Sequence, residues 1–222
     1  MTQASRHRRA RIRAWLYDAA VVPMTAVWYG AVLERLPAGC RLLDIGIGTG
    51  GALLAHADVL TGKDLRVTGI DVDVAYVDHC RRAVSRRGLG DRVAVRLESV
   101  YDHHGGPYDA AYFSGSFMLL PDPADALRHV SALLTPAGRI YFTQTLERRR
   151  SRTVEVAKPL LRLVTTIDFG RVTYEADFRR TLVAGGIELE ACETLTRGRR
   201  RSAVVAVGRP RHPTGRGPLS RR

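Results

Sequence analysis

Lysine is almost missing from this 222-residue chain. Of its 35 basic residues only Lys63 and Lys158 are lysine, and the rest are arginine. Against 22 acidic residues the formal charge is +13, a balance that taken alone points to a nucleic-acid partner. The surplus, however, is confined to the ends. Residues 1–13 hold five arginines and residues 197–222 hold nine, with no acid in either stretch. Residues 14–196 then carry 21 basic and 22 acidic groups, a body close to neutral. Arginine-rich ends bind polyanions weakly, and most such tails are solvated. A nucleic-acid partner is therefore kept open but not favoured.

Cysteine is also scarce. Cys40, Cys80 and Cys192 are odd in number, far apart and match no metal spacing. That excludes a disulfide framework, gives no metal site, and fits a reducing, cytoplasmic compartment. No uninterrupted apolar run reaches the ~20 residues of a membrane helix. The order of Arg6–Arg13 followed by the apolar residues 19–33 is that of a signal peptide, but Asp18 and Pro23 interrupt it. Leu36-Pro-Ala-Gly-Cys40 then leads straight into a core strand, leaving no room for cleavage. The better reading is an N-terminal helical segment. There is no internal repeat, and at 45% hydrophobic residues the chain can bury one sizeable core.

What is present centres on Arg41-Leu-Leu-Asp-Ile-Gly-Ile-Gly-Thr-Gly-Gly51. This reads as a buried strand that breaks into a glycine-rich turn, with a helix starting at Ala52. Glycine tolerates positive φ and lets a ligand approach bare backbone, while a helix start offers free N–H groups. Gly46, Gly48 and Gly51 fit the dinucleotide pattern G-x-G-x-x-G, and Gly46, Gly48 and Gly50 fit G-x-G-x-G; either alone is weak. A second apolar run, Leu65–Ile70, ends in Asp71-Val-Asp73, where a carboxylate suits the hydroxyls of a ribose. Both acids would lie at carboxyl ends of neighbouring strands, where α/β ligands bind. Asp44 stands two residues before the first glycine, suited to a ligand amino group and badly placed beside a pyrophosphate. That favours S-adenosylmethionine over NAD, and an NAD-dependent reductase stays as a minor alternative.

Leu43-Asp-Ile-Gly-Ile-Gly-Thr-Gly50, Gly69-Ile-Asp-Val-Asp73, Tyr108-Asp-Ala-Ala-Tyr-Phe113 and Leu134-Thr-Pro-Ala-Gly-Arg-Ile-Tyr-Phe142 together resemble the class I S-adenosylmethionine-dependent methyltransferases, small-molecule type, in that family's order. The resemblance spans roughly residues 41–145. It implies S-adenosyl-L-methionine as cofactor, held by Asp44, Gly46, Gly48, Gly50, Asp71, Val72, Ser99, Val100 and Ser114. Ser99-Val100 is aligned with the family's adenine-contacting pair, with Ser99 where an acid often sits; neighbouring Glu98 is the substitute. Asp71 is alternatively a helix cap.

Strands alternating with helices predict a single doubly wound, mostly parallel seven-stranded sheet with helices on both faces and a C-terminal antiparallel hairpin. The expected strands after the first two are 92–98, 108–114, 139–145, 187–196 and 201–208. Expected helices cover 74–88, 123–134 and 175–184. Residues 1–13 are expected as a flexible basic start, 14–209 as the domain and 210–222 as a disordered basic tail. Within the domain, 14–40 resembles the lid helices of small-molecule methyltransferases, with Tyr17 and Tyr29 facing the acceptor. Residues 146–174 are read as a substrate-side insertion or as cover for the sheet edge, and Ser116 and Phe117 are further substrate candidates, with Phe117 equally readable as core.

Methyl transfer from a sulfonium needs positioning more than acid–base help, so no catalytic residue is assigned. His103-His104, followed by Gly105-Gly-Pro107, reads as an exposed turn rather than a base. The expected function is methylation of a small organic acceptor of biosynthetic type. The rivals are an RNA or protein methyltransferase using the basic ends, and a non-catalytic S-adenosylmethionine-binding scaffold or regulator. The sequence is silent on oligomeric state.

Overall fold

The computed structural model describes residues 22–147, 173–198 and 201–211. Tyr17, the basic N-terminal segment, most of the expected insertion and the tail from residue 212 lie outside the described residues. Helix α1 covers residues 22–33. There follow β1 (Arg41–Ile45), α2 (Gly51–Leu54), α3 (Ala57–Gly62), β2 (Arg66–Asp71), α4 (Val74–Arg86), β3 (Val93–Leu97) and β4 (Tyr108–Ser114). A 3-10 turn at Phe117–Leu119 leads to α5 (Pro123–Ala132), β5 (Leu134–Glu147), β6 (Thr173–Tyr174), α6 (Glu175–Ala184), β7 (Ile187–Arg197) and β8 (Arg201–Pro210).

The strands pair in the order β3-β2-β1-β4-β5-β8-β7. The first five are parallel, while β8 runs antiparallel to both β5 and β7. This is the expected doubly wound sheet with its closing hairpin. It differs in one detail: β6, only two residues long, pairs parallel with β5 at Leu146 and Glu147 and makes an eighth strand.

Parallel strands covered on both sides read as continuous apolar runs, and β1 shows why. Leu42 packs with α1, α3 and α4, whereas Leu43 and Ile45 pack with α5 and α6, because successive side chains alternate across the pleat. On the first face lie Tyr29, Val32, Leu33 and Leu36 of the α1 segment with Leu60 and Cys80. On the second, Phe113, Phe142 and Phe178 form an aromatic cluster.

Two devices fix α1 over the sheet. The Lys63 ammonium donates to the carbonyls of Leu33, Glu34 and Leu36, at 3.1, 2.6 and 2.9 Å, closing the helix's carboxyl end. The His56 ring donates through Nε2 to the Ala26 carbonyl at 2.7 Å, and it lies so close to Gly30 that a Cβ there would meet Cε1 at 2.9 Å. The helix expected from Ala52 is thus two short helices with His56 at their junction. Strand β5 starts before the expected residue 139, and residues 135–138 form a bulge inside it, between the Tyr108–Leu134 and Ala110–Arg139 pairs.

Caps explain the starts of the longer helices. Asp73 accepts from Ala75 and Tyr76 N–H at the start of α4, and Asp122 accepts from Asp125 N–H at α5, where Pro123 follows. Among the described residues no helix is long and apolar enough to cross a membrane, and no group of ligating side chains could hold a metal ion.

Candidate functional site

The carboxyl ends of β1, β2, β3 and β4 converge on the glycine turn. Gly46, Gly48 and Gly50 adopt φ of 81°, 60° and 74°, the left-handed region that an L side chain resists. Space forbids a side chain as well: a Cβ on Gly46 would stand 2.7 Å from Ser116 Cβ, and one on Gly50 would stand 2.4 Å from Cys80 Sγ. The turn is tied to the next strand, since Gly46 N–H and Ile47 N–H both donate to the Ile70 carbonyl, at 2.8 and 3.2 Å.

Asp44 is the unusual member of β1: a carboxylate with no exposed surface in an apolar strand. Its side chain leans to the α1 face, where Tyr29 donates its hydroxyl to Oδ2 at 2.8 Å. Oδ1 is buried and has no hydrogen-bond partner among the described residues. Burial pushes the carboxyl up to about 7; the Tyr29 hydrogen bond opposes that shift and the nearby Asp71 charge adds to it. A buried acceptor left unpaired is costly, so Asp44 is prepared for a donor arriving from outside the protein.

Asp71, at the end of β2, sends Oδ2 back to Gly48 N–H and Oδ1 to Asp73 N–H, both at 2.9 Å. It therefore braces the glycine turn, and each oxygen retains a lone pair for a further donor. Burial also raises its carboxyl, against the pull of the Asp73 and Gly48 N–H bonds. Capping of α4 falls to Asp73, so the alternative of Asp71 as the helix cap is set aside.

Beyond these two acids, Val72 is 72% exposed at the strand end. Ser99 accepts from Tyr101 N–H through Oγ at 3.3 Å, and Val100 is buried in the second core face. Ser114 closes β4 beside Gly115, whose φ of 68° turns the chain under the Trp28 ring. A cleft between α1 and the glycine turn is lined by Val22, Thr25, Tyr29, Gly46, Thr49 and Ser114. A larger depression of about 400 Å³ lies between α4 and β3, but it includes Gly88, Gly90 and Asp91 from the amino side of β3, away from the converging acids.

The structure brings Asp44, the three glycines, Asp71, Ser114 and Tyr29 together at one end of the sheet. Ser116 is adjacent, its Oγ donating to the Ile45 carbonyl at 2.6 Å. Phe117 is not part of this group. It is 1% exposed and packed against Phe113, Phe142 and Phe178, so its assignment to the acceptor is corrected to core packing. His103 is likewise no exposed turn residue, being fully buried. Thr49 lines the cleft without having been singled out, while Trp28, beside Gly115, lies in the 14–40 segment expected to recognise the acceptor. Thr49 sits inside the glycine pattern, and that was the signal available for it.

A family profile described as a methyltransferase domain matches residues 43–140. Among curated proteins the chain is similar to 27-O-demethylrifamycin SV methyltransferase of Amycolatopsis mediterranei, 27% identical over 184 residues, 78% of this chain and 63% of that one. It is similar also to ubiquinone biosynthesis O-methyltransferase of Nitrosococcus oceani, 31% identical over 159 residues, 69% of this chain and 65% of the relative. The chain thus spans slightly less than two thirds of these relatives' own length. Among solved structures, the [4+2]-cyclase SpnF superposes with a TM-score of 0.68 at 19% identity, covering 83% of this chain and 81% of that one. Mitomycin 7-O-methyltransferase MmcR gives 0.64 at 20% identity, covering 88% and 60%. The profile match falls on the glycine turn and the two strand-end acids, and together with these relatives it supports a class I S-adenosylmethionine-dependent methyltransferase.

Proposed function

We propose that this chain transfers a methyl group from S-adenosyl-L-methionine to a small organic acceptor, with a hydroxyl of a biosynthetic or natural-product compound as the leading class. The observation that carries the reading is Asp44: a buried carboxylate with one oxygen unpaired, opening under a glycine turn. An ammonium group supplies the missing donor and the charge that two converging carboxylates favour. A pyrophosphate in that position would face Asp44 with like charge, which disfavours the NAD alternative.

In this assignment Asp44 holds the amino group of the cofactor's amino-acid end, and Gly46, Gly48 and Gly50 lay bare backbone along it. Asp71 accepts from the ribose hydroxyls. Val72 offers its exposed face to the base, beside Ser99 and Val100, and Ser114 lies toward the sulfonium. The cofactor when bound supplies an already activated methyl group. The protein's part is to orient the two reactants and keep water out, with Trp28 and Tyr29 of α1 closing over the turn. Tyr29 and Ser116 border the acceptor side, and Tyr17 is retained with them from the sequence. The relatives named for rifamycin and ubiquinone support a small hydroxylated acceptor. The three free thiols suit a cytoplasmic setting.

Calorimetric titration with S-adenosylmethionine, S-adenosylhomocysteine and NADH tests the cofactor, followed by an acceptor screen with labelled methyl donor. Binding of NADH alone would overturn the assignment. Deleting residues 212–222 should leave small-molecule turnover intact; loss of turnover with retained cofactor binding, together with steep salt dependence, would move the acceptor to a polyanion. A cofactor-binding chain that transfers methyl to no acceptor would fit the scaffold reading.

A further inference from the structure

Behind the end of β3 lies a buried relay that the cofactor assignment leaves unused. His103 is 0% exposed. Its Nδ1 stands 3.0 Å from Glu98 Oε2 and its Nε2 2.9 Å from the Tyr108 hydroxyl. A carboxylate only accepts, so Nδ1 carries the hydrogen; in the neutral ring Nε2 then accepts from Tyr108. The imidazole's backbone is held too, because His129 Nε2 donates to the His103 carbonyl at 2.7 Å. Gly105 leaves the space this requires: a Cβ there would stand 2.6 Å from the Tyr108 hydroxyl and 2.7 Å from His103 Nε2. Farther along the same loop, Tyr101 both accepts from Asp122 N–H and donates to the Asp122 carbonyl, at 3.0 and 2.9 Å.

The relay ends at the rim of the site. Glu98 N–H donates to the Asp71 carbonyl at 3.0 Å, and the Glu98 side chain is 24% exposed. If Asp71 holds a ribose, the base joined to it must lie over one neighbouring strand end. The β1 side is taken by the glycine turn and the amino-acid end of the ligand, which leaves the end of β3. Ser99 Oγ accepts from Tyr101 N–H and offers only a neutral hydroxyl, a weaker acceptor for an amino group than a carboxylate. Glu98 has one oxygen on His103 and keeps a partly exposed side chain at the end of β3.

We propose that His103 is a positioning residue for the purine subsite: it orients the Glu98 carboxylate so that Glu98, rather than Ser99, accepts from the 6-amino group of the adenine. This rests on the cofactor reading above and assigns the base contact within it. His103 itself touches no ligand. Its buried ring, clamped between Glu98 and Tyr108, keeps the carboxylate in one rotamer, which lowers the ordering cost on binding.

The test compares S-adenosylhomocysteine with its analogue carrying hydrogen in place of the 6-amino group, by calorimetry on the full chain. A hydrogen bond to a charged group corresponds to a preference of about ten-fold or more for the amino compound. The wild type should show that preference, and Glu98→Ala should lose it. His103→Asn keeps an amide N–H near the Nδ1 position and should retain most of it; His103→Phe keeps a ring but no nitrogen and should lose it. The ratio between two ligands on one variant does not move with general destabilisation. A preference that survives in Glu98→Ala or in His103→Phe overturns the proposal, as does its absence from the wild type. Failure of the wild type to bind either compound would instead overturn the cofactor reading on which the proposal stands.

Discussion

Tyr29 of α1 and Asp44 of β1, fifteen residues apart in sequence, meet through a buried hydrogen bond of 2.8 Å. The tyrosine ring also packs edge-on against Tyr112, with centroids 5.0 Å apart, and Tyr112 is the β4 neighbour of Asp44 in the sheet. The bond joins the helix that covers the glycine turn to the carboxylate beneath it. Removing the hydroxyl by Tyr29→Phe leaves the ring packing in place and deprives the ionised carboxylate of its one donor among the described residues. Cofactor affinity should fall by about ten-fold, the scale of a hydrogen bond to a charged group, as read by calorimetry. Unchanged affinity would mean that the Asp44 carboxylate plays no part in binding.

The raised Asp44 carboxyl makes two pH signatures of opposite use. Its folded value of about 7 stands above the ordinary 3.8, so between those limits the folded state holds a proton that the unfolded state has lost. Stability therefore declines as pH rises from about 4 to about 7 and levels off above. Binding behaves the other way: an ammonium ligand needs the ionised form, so affinity should climb with pH up to about 7. Titrations in buffers of different ionisation enthalpy should detect proton release in the lower range. Asp44→Asn should remove both trends, and a persistent stability slope in that variant would assign it to another group.

Gly50 and Cys80 show how a side chain under the turn sets its sequence. A Cβ on Gly50 would meet the Cys80 sulfur at 2.4 Å, and the backbone φ of 74° adds strain of its own. Gly50→Ala should cost more than the ~1 kcal/mol of placing a side chain in the left-handed region. Cys80→Ala removes the sulfur and leaves only a Cβ at 3.5 Å. The double variant should recover the steric part, giving a favourable coupling in a denaturation cycle. Strict additivity would show that the conflict lies wholly in the backbone.

Much of this site was legible because its determinants are local. Strand β4 and helix α6 have the expected limits, Tyr108–Ser114 and Glu175–Ala184, since each is bounded by turn residues such as Gly105-Gly-Pro107 or Gly185-Gly186. The glycine turn with Asp44 and Asp71 forms a contiguous pattern tied to strand ends, so spacing sufficed. What failed was any question about which way a side chain faces. His103 looked exposed because glycines and a proline follow it, yet its partners Glu98 and Tyr108 stand five residues away on either side and close around it. Phe117 sits next to the site in sequence but turns into a ring cluster drawn from β4, β5 and α6. No local pattern encodes that packing.

Asp71 and Asp73 offer the cleanest separation of binding from folding. Asp73 caps α4 through Ala75 and Tyr76 N–H, and its own N–H donates to Asp71 Oδ1. Asp73→Ala should therefore lower stability by about 1 kcal/mol, as for other lost N-caps, with cofactor affinity nearly unchanged. Asp71→Ala removes the acceptor for both Gly48 and Asp73 N–H and, in the assignment above, the ribose contacts as well. It should cost stability on the order of 1–3 kcal/mol and weaken cofactor binding at least ten-fold. Comparing the two variants by chemical denaturation and calorimetry decides the role of Asp71. If affinity follows stability equally in both, Asp71 is only a brace for the turn; if affinity drops in Asp71→Ala alone, the carboxylate holds the ligand directly.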